Sequence, residues 1–390
     1  MGLLVLAALA TIVGLVRLWP SSDDLPELST TPEGSSYQVV TVTDTESEAD
    51  AASGPAVLAE TSDGDTVSVQ LGSEYLDVLQ PGDEIRVMTL DAGDGGTTYV
   101  FVDLIRGPSM ALLAVVLGAL VLAVARWRGL GAMLGLGLSV AGVLVFTVPA
   151  LVEGEPALPV ALVTASALMF LLLYLAHGVS VRTSTALLGT LGGLIATGLI
   201  AAWATGATHL TGLSSENSLD LLQLAPDASL RGILMCGMVL AGLGVLNDVT
   251  ITQASSVWEL RAASPTAGRL ALFRGAMRIG RDHIASAVYT VAFAYLGAAL
   301  PLVLLVAMSD RTLLDSLTSG EIAEEVVRTL VGSIGLVLAI PLTTVVAAVL
   351  VPGPAAGPVA GPLPGTVPEV ADEPVAGGAA ENGPAGQPAP

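Results

Sequence analysis

The sequence predicts an α-helical membrane bundle of about eight transmembrane helices, with a small extracytoplasmic all-β domain inserted between the first and second helices. Three observations predict this fold. Of the 390 residues, 53% are hydrophobic and 13% are charged, and the mean hydropathy is +0.76, whereas soluble domains carry about 25% charged residues. Eight apolar runs are long enough to cross a bilayer as helices. One interval between them alternates apolar and polar residues, which is the period of a β-strand.

The eight apolar runs set the boundaries of the membrane segments. They cover residues 2–19, 109–125, 130–151, 157–176, 185–204, 232–257, 284–307 and 327–351. The first run lacks a basic start and a clear cleavage site before Pro20, so we expect an uncleaved membrane anchor helix over residues 1–19. A cleaved signal peptide and a misplaced start codon are the open alternatives. The other seven runs predict a seven-helix membrane domain over residues 108–351.

Arginine residues indicate the orientation of the bundle. All 14 basic residues are arginine, and eight of them fall in three alternate loops. These eight are Arg126, Arg128, Arg182, Arg261, Arg269, Arg274, Arg278 and Arg281. The intervening loops are mainly acidic, and short cytoplasmic loops carry the excess of positive charge in membrane proteins. The sequence therefore predicts a multi-pass protein of the cell membrane with both termini in the cytoplasm.

The interval after the first helix is predicted to lie outside the cell. Residues 20–36 form an acidic linker, and residues 37–107 contain four alternating stretches separated by Gly-containing breaks. These stretches are YQVVTVT, TVSVQL, DEIRVMTL and TTYVFVDLIR. They predict a small antiparallel barrel or sandwich, either a purely structural module or a lid that binds a partner or ligand. Residues 352–390 are rich in Pro, Gly and Ala, which predicts a disordered cytoplasmic tail.

Composition and motifs argue against several classes of function. The net charge of −21 argues against nucleic-acid binding, and the single cysteine, Cys236, provides neither a disulfide nor a cysteine metal cluster. No other cluster has metal-ligand spacing, so no metal and no cofactor are predicted. HExxH and GxSxG motifs are absent, and the chain has no Lys for a P-loop. We therefore predict that the protein is not an enzyme.

An Asn-Asp pair inside the sixth apolar run is the strongest candidate for a functional site. A charged carboxylate costs about 2.5–3.5 kcal/mol at a bilayer centre, so Asn247 and Asp248 stand in an unfavourable place. Asp248 lies ten residues before Trp258, or about 15 Å along a helix, which predicts a deeply buried position near the membrane centre. A polar stripe at helical spacing consists of Gly244, Asp248, Thr252 and Ser255. We expect this stripe to face the bundle and not lipid.

The sequence leaves two roles open for this carboxyl group. Buried without a facing arginine, it can take up and release a proton or a monovalent cation. The candidate residues for such coupling are Asp248, Asn247, Thr252 and Ser255. Alternatively, a protonated Asp248 and Asn247 only hydrogen-bond to a neighbouring helix, which contributes about 0.6 kcal/mol per bond.

Further polar residues are candidate partners of this site. Candidates for a proton relay or a hydrogen-bond partner are Asp282, His283, Tyr289, Thr290 and His177. Ser264 and Pro265 predict the start of a separate amphipathic helix before the seventh run. Arg274, Arg278 and Arg281 share one face of that helix, which predicts contacts with anionic headgroups of the inner leaflet. The helix would serve as an anchor or as a moving coupling helix.

Several stretches together resemble the YibE/F-like family of bacterial multi-pass membrane proteins. They are the opening segment, RWRGL at 126–130, VPALVEG at 148–154, YLAHGVSVRTSTALLGT at 174–190 and RDHIASAVYTVAFAYLG at 281–297. The resemblance covers roughly residues 108–350. It implies a bacterial plasma-membrane protein and a topology, but it supplies no catalytic residues. The LNDV pattern at 246–249 is also similar to the Asn-Asp of SecD/SecF protein-export components.

Two functions follow from these observations. The first is a secondary transporter or permease-like component that is coupled to protons or monovalent cations through Asp248. The alternative is a non-catalytic membrane scaffold that presents its β module to partners. The expected partners are the lipid bilayer, a proton or monovalent cation, and another membrane protein or further copies of the chain. Substrate, direction of transport and oligomeric state do not follow from the sequence.

Overall fold

The computed structural model describes residues 2–21, 35–45, 54–91, 96–214, 216–310 and 312–353. Within these ranges the chain forms one N-terminal helix, a small β-barrel and a bundle of helices. The predicted acidic linker, residues 20–36, and the predicted tail, residues 352–390, lie almost entirely outside the described residues.

The barrel consists of five short strands. They are β1 (Ser36–Asp44), β2 (Ala56–Glu60), β3 (Thr66–Gln70), β4 (Glu84–Asp91) and β5 (Thr97–Leu104). The order around the closed barrel is β1-β2-β3-β5-β4, with antiparallel pairs except for the parallel pair β3–β5. Alternate side chains such as Val40, Val42, Ile85 and Val87 fill the interior. The sequence predicted the other four strands but missed β2, whose segment AVLAE is too short to show a clear alternation.

Eleven helices occur among the described residues. They are α1 (Gly2–Arg17), α2 (Gly107–Gly142), α3 (Val148–Val152), α4 (Ala157–His177), α5 (Val181–Ala207), α6 (Glu216–Leu224), α7 (Leu230–Ala263), α8 (Arg269–Ala298), α9 (Leu300–Ala307), α10 (Leu313–Leu317) and α11 (Gly320–Leu350). A π-helical turn, Val143–Thr147, joins α2 to α3. All eight apolar runs are largely helical, although the run 130–151 extends from α2 to α3 and the run 284–307 extends from α8 to α9.

Five helical segments of the described chain are long and apolar enough to cross a membrane, or six if the bent pair α8 and α9 is one span. This number is smaller than the predicted eight for two reasons. The helix α1 has only 16 residues. The segment from α2 to α3 is continuous over 46 residues, so the second and third predicted runs merge into one candidate span.

The helix α2 nevertheless folds back on itself at Arg126. The backbone of Arg126 has φ 54° and ψ −135°, which interrupts the helix. A Cβ atom on Gly118 would lie 3.6 Å from Met133 Sδ, and one on Gly129 would lie 2.7 Å from the carbonyl oxygen of Val121. In a straight helix Gly118 and Met133 would stand about 22 Å apart along the axis. The second and third runs are therefore the two arms of a helical hairpin.

The centre of the bundle is formed by α5, α7 and α11. Small residues let α5 and α11 approach closely, because a Cβ atom on Gly193 would lie 2.9 Å from Ala339 Cβ. Buried threonine hydroxyls donate to carbonyls one turn earlier in their own helices, as Thr197 does to Gly193 at 2.8 Å. Between α5 and α7, the hydroxyls of Thr190 and Thr250 are 2.6 Å apart.

The loops between these helices gather at two opposite ends of the bundle. At one end Arg182 Nη1 lies 4.0 Å from Glu259 Oε1, which joins the start of α5 to the end of α7. At the other end the backbone N–H of Ser21 donates to Glu153 Oε2 at 2.9 Å, which joins the end of α1 to the loop before α4. The first end carries the loop arginines Arg126, Arg128, Arg182, Arg261 and Arg269. We call it the arginine-rich end.

The predicted separate amphipathic helix before the seventh run is wrong. Ser264 caps the C-terminus of α7, and α8 begins at Arg269 and continues without a break to Ala298. Its first half packs into the bundle, where Leu272 and Ala276 contact Val257 of α7. The physical reason is that small and apolar residues recur at helical spacing across the predicted boundary, so one buried stripe packs against the bundle from Leu272 to Val291.

A buried arginine holds the loop between α7 and α8. Arg261 is 8% exposed, and its Nη1 donates to the carbonyl oxygens of Pro265 at 3.1 Å and Ala267 at 2.7 Å. These bonds satisfy backbone acceptors in the turn and fix the position from which α8 starts.

We expect that Arg261→Met lowers the free energy of unfolding by about 1.5–3 kcal/mol, because it removes charge-assisted hydrogen bonds. Amide hydrogen exchange at residues 264–268 should accelerate, since these bonds order the turn. The matched control is Arg269→Met, which removes an exposed arginine at the start of α8. Equal stability and equal exchange in the two variants would contradict this role of Arg261.

Candidate functional site

The structure places Asp248 on the outer side of α7. Its side chain is 68% exposed, whereas Leu246, Val249 and Gln253 of the same helix are buried. The expectation that the polar stripe faces the bundle, with Asp248 deeply buried, is therefore wrong. The reason is that α7 carries two polar rows, and the row that contains Gln253 packs against α8 and α11.

Asp248 is paired with a histidine of the neighbouring helix. His283 Nε2 lies 3.6 Å from Asp248 Oδ2, and the His283 side chain is 30% exposed. This distance is too long for a direct hydrogen bond but suits an ion pair or a bridge through one water molecule. Among the described residues, the solvent-shielded Nε2 atom has no hydrogen-bond partner. The pair links α7 to α8 about halfway along both helices.

A groove connects the arginine-rich end to the vicinity of this pair. It lies between α7 and α8 and has a volume of 480 Å³. Its polar lining residues are Thr252, Ser255, Ser256 and Glu259. Thr252 stands one helical turn after Asp248, so the polar lining reaches from the end of α7 to one turn short of the carboxylate. Two residues of the predicted stripe, Thr252 and Ser255, therefore border this groove.

The other sequence-predicted residues lie apart from the pair. Asn247 is half-buried, and its Oδ1 atom has no hydrogen-bond partner among the described residues. Asp282 is exposed on α8. Thr290 donates to the Ser286 carbonyl at 3.0 Å and borders a separate cavity of 130 Å³. Tyr289 is also exposed, about 9 Å beyond His283 along α8. The structure does not join these groups to Asp248.

His177 ends α4 at the arginine-rich end of the bundle, near Arg128 and Arg182. Arg182 contacts Glu259, and Glu259 follows Asp248 by about 16 Å along α7. His177 is thus close to the end of the groove at Glu259 and far from the Asp248–His283 pair.

The three predicted inner-leaflet arginines line a depression on α8. It has a volume of 410 Å³ and is formed by Phe273, Arg274, Met277, Arg278 and Arg281. All three arginines are exposed. Their predicted contact with anionic headgroups stays a prediction, but they belong to a helix of the bundle and not to a separate surface helix.

Sequence reasoning missed Gln253, which is 2% exposed at the centre of the bundle. Its Nε2 donates to the Ala276 carbonyl at 3.2 Å and to Thr344 Oγ1 at 3.1 Å. Gln253 therefore ties α7 to both α8 and α11. The available signal was its spacing from Thr250, since the two form a second polar row opposite the Asp248 stripe.

Within the described ranges, no group of three or more His, Cys, Asp or Glu side chains is close enough to hold a metal ion. The chemistry that the site offers is therefore that of one carboxylate, one imidazole and several hydroxyl groups. Such groups can exchange protons or surround a small cation.

Comparisons with known proteins identify the family. No curated protein and no solved structure shows a significant match to the chain. The model of the YibE/F-like protein family matches residues 113–353, which include α4, α5, α7, α8 and α11. This match covers more than half of the chain and contains the Asp248–His283 pair. The chain belongs to the YibE/F-like family.

Proposed function

We propose that the chain crosses the bacterial plasma membrane eight times, with both termini in the cytoplasm and the β-barrel outside. The hairpin at Arg126 supports two crossings within α2 and α3. The gathering of loop arginines at one end of the bundle supports a cytoplasmic position for that end. α1 packs along α4, since Gly14 faces the side chain of Val163, which supports a first crossing despite its 16 residues.

The depth of Asp248 follows from this topology. The start of α5 and the end of the groove are level with Glu259, because Arg182 lies 4.0 Å from it. Asp248 stands about 16 Å from that level along α7 and about 27 Å from the first residue of the helix. In a bilayer of about 40–45 Å, including headgroups, these distances support a position for the carboxylate in the inner half of the hydrocarbon layer.

We propose that the protein is a secondary transporter or permease-like component coupled to protons or monovalent cations through Asp248. The single observation that carries this proposal is the Asp248–His283 pair, with 3.6 Å between a carboxylate and an imidazole on two different helices. Charged or titratable groups at this depth are costly and are typical of ion pathways.

The arrangement suggests how protonation acts on the helices. An ionised Asp248 attracts a protonated His283, and this attraction is stronger in a medium of low dielectric constant than in water. Neutralising either group removes the attraction and weakens the contact between α7 and α8 at this level. The hydroxyl groups of Thr252, Ser255 and Ser256 provide hydrogen-bond partners for water along the groove. Proton uptake from the arginine-rich end would thereby change the packing of α7 against α8.

Proton flux into liposomes tests the proposal. The full chain is reconstituted with a pH-sensitive dye inside, and flux is driven by a potassium diffusion potential. We expect the native protein to raise the flux above that of protein-free liposomes. Asp248→Asn and His283→Gln should abolish the increase, because each removes one titratable group but keeps a hydrogen-bonding side chain.

The matched control is Asp282→Asn, which neutralises an exposed carboxylate next to His283. This variant should keep the flux. A second readout is the pH-dependent carboxyl band in infrared difference spectra, which should disappear in Asp248→Asn. Equal flux and equal spectra in the native protein and Asp248→Asn would exclude coupling through this residue.

A second candidate function is a membrane scaffold that presents the β-barrel to partners. The observation in its favour is a pair of exposed apolar side chains on the outside of the barrel, Tyr37 and Val39 of β1. Exposed apolar patches are typical of interaction surfaces. If the protein is a scaffold, Tyr37→Ser with Val39→Ser should impair its cellular role, whereas Asp248→Asn should leave that role intact.

A further inference from the structure

The outer sides of α7 and α8 form one surface that is rich in charge. We call it the α7/α8 face and define it by the exposed residues Asp248, Glu259, Arg274, Arg278, Arg281, Ala285, Tyr289 and Phe293. We propose that a second copy of the chain covers this face in a dimer whose twofold axis is parallel to the membrane normal. This inference does not depend on transport, because it concerns only how the charges of the face are neutralised.

Lipid alone is a poor cover for the α7/α8 face. The Asp248 side chain is 68% exposed, and at the depth derived above a charged carboxylate exposed to lipid costs about 2.5–3.5 kcal/mol. His283 approaches from one side only. Arg281 and Arg278 stand only about 3 and 8 Å nearer to the arginine-rich end than His283. A protein surface with matching charges removes this cost.

The charges of the α7/α8 face are arranged on two sides of α8. On one side, α8 contacts α7 through His283, and Gly275 faces Leu260 of α7. On the other side, Arg274, Arg278 and Arg281 line their own depression. At 100° per residue these arginines point about 140–180° away from His283 around the helix axis. The face therefore has three parts. Asp248 and Glu259 form an acidic edge on α7, Tyr289 and Phe293 form a central ridge on α8, and the three arginines form a basic edge beyond the ridge.

A twofold axis turns this arrangement into a complementary contact. When two identical faces meet, the left edge of one lies against the right edge of the other. The acidic edge of each copy thus meets the basic edge of the second copy. The residues nearest the axis are then the exposed aromatic side chains of the ridge, Tyr289 and Phe293. Aromatic side chains of this kind are enriched in the cores of interfaces.

The charges also match in depth. An axis parallel to the membrane normal keeps each residue at the same depth in both copies. Leu260 lies against Gly275, so Glu259 is level with Arg274. Asp248 lies against His283, which is two residues, or about 3 Å, from Arg281. Each copy can therefore pair Asp248 with Arg281, and Glu259 with Arg274, of the second copy.

Disulfide cross-linking in native membranes tests the dimer. The single cysteine, Cys236, is first replaced by alanine. Tyr289→Cys is then oxidised, and we expect most of the protein to form a covalent dimer, because a residue near a twofold axis lies close to the same residue of the second copy. The matched control is Ala141→Cys, an exposed alanine in α2, which packs against α4 on another part of the bundle. Little or no cross-linking at Tyr289→Cys, or equal cross-linking at both positions, would overturn the proposal.

Charge reversal separates the dimer contact from contacts within one chain. Glu259→Arg should reduce cross-linking at Tyr289→Cys several-fold, and adding Arg274→Glu should restore it. Glu259 also lies 4.0 Å from Arg182 of its own chain. Restoration by Arg182→Glu and not by Arg274→Glu would therefore contradict the proposed pairing. Photobleaching of singly labelled protein in dilute liposomes should show two steps for the native chain, and a single step throughout would also contradict the dimer.

Discussion

Gly335→Ala is expected to lower the free energy of unfolding by about 1–3 kcal/mol, the usual cost of adding a carbon atom to a tightly packed core. Gly335 lies in α11 against Thr197 of α5. A Cβ atom at this position would overlap Thr197 Oγ1 and lie 3.1 Å from Thr197 Cβ. Thr197 is 0% exposed and its hydroxyl donates to Gly193, so the side chain has no free space to turn into. The two helices would have to move apart.

Two further variants make this prediction specific. Adding Thr197→Ala removes the overlapping oxygen, so the double variant should be more stable than Gly335→Ala alone, although Thr197→Ala by itself loses packing. Gly332→Ala is the matched control, because a Cβ atom there meets nothing within 4 Å. Gly332→Ala should be neutral or stabilising, since alanine favours a helix by about 1 kcal/mol over glycine. Unfolding in mixed detergent micelles measures all four proteins, and equal stability of Gly335→Ala and Gly332→Ala would refute the argument.

The positions of the helices could be predicted from the sequence because apolar length is a strong signal. Runs of about 20 apolar residues satisfy the length that a bilayer requires, and α4, α5, α7 and α11 follow them closely. Alternation also predicted the strands β1 and β4, in which alternate residues such as Val40 and Ile85 are buried in the barrel. In both cases, the distribution of apolar residues along the chain shows which segments avoid water.

The orientation of each helix face was harder to predict from a single sequence. Periodicity shows which residues share a face, but it does not show which face meets a neighbouring helix. α7 has two polar rows, one with Asp248 and one with Gln253. The row with Gln253 is buried because its amide reaches the Ala276 carbonyl across the space left by Gly280. That fit depends on three-dimensional neighbours, so the sequence analysis assigned the wrong row to the core.

The boundary between a surface helix and a membrane helix was also ambiguous. Arg274, Arg278 and Arg281 suggested an amphipathic helix, and the next apolar run begins after His283. The structure joins both parts into α8, because Leu272 continues the buried stripe towards the N-terminus. This continuity is what places His283 beside Asp248. The charge pattern thus divided one long helix into two shorter ones, and the contact between Asp248 and His283 depends on the full helix.

Gly280→Ala is expected to weaken both the fold and the candidate site. A Cβ atom on Gly280 would overlap Gln253 Nε2 and lie 2.8 Å from Ile340 Cγ2. Both neighbours are buried, so α8 would move away from α7 and α11. We expect a loss of about 1–3 kcal/mol in the free energy of unfolding. His283 follows Gly280 by three residues, so the same displacement carries the imidazole away from Asp248.

Two measurements separate these consequences. Gly297→Ala lies on the same helix, meets nothing within 4 Å and serves as the matched control for stability. Proton flux into liposomes then reports on the Asp248–His283 pair in protein that is still folded. Gly280→Ala should reduce the flux, whereas Gly297→Ala should not, because only the first changes the spacing of α7 and α8. If Gly280→Ala destabilises the protein but leaves the flux unchanged, the close packing at Gln253 serves the fold alone and does not set the distance across the pair.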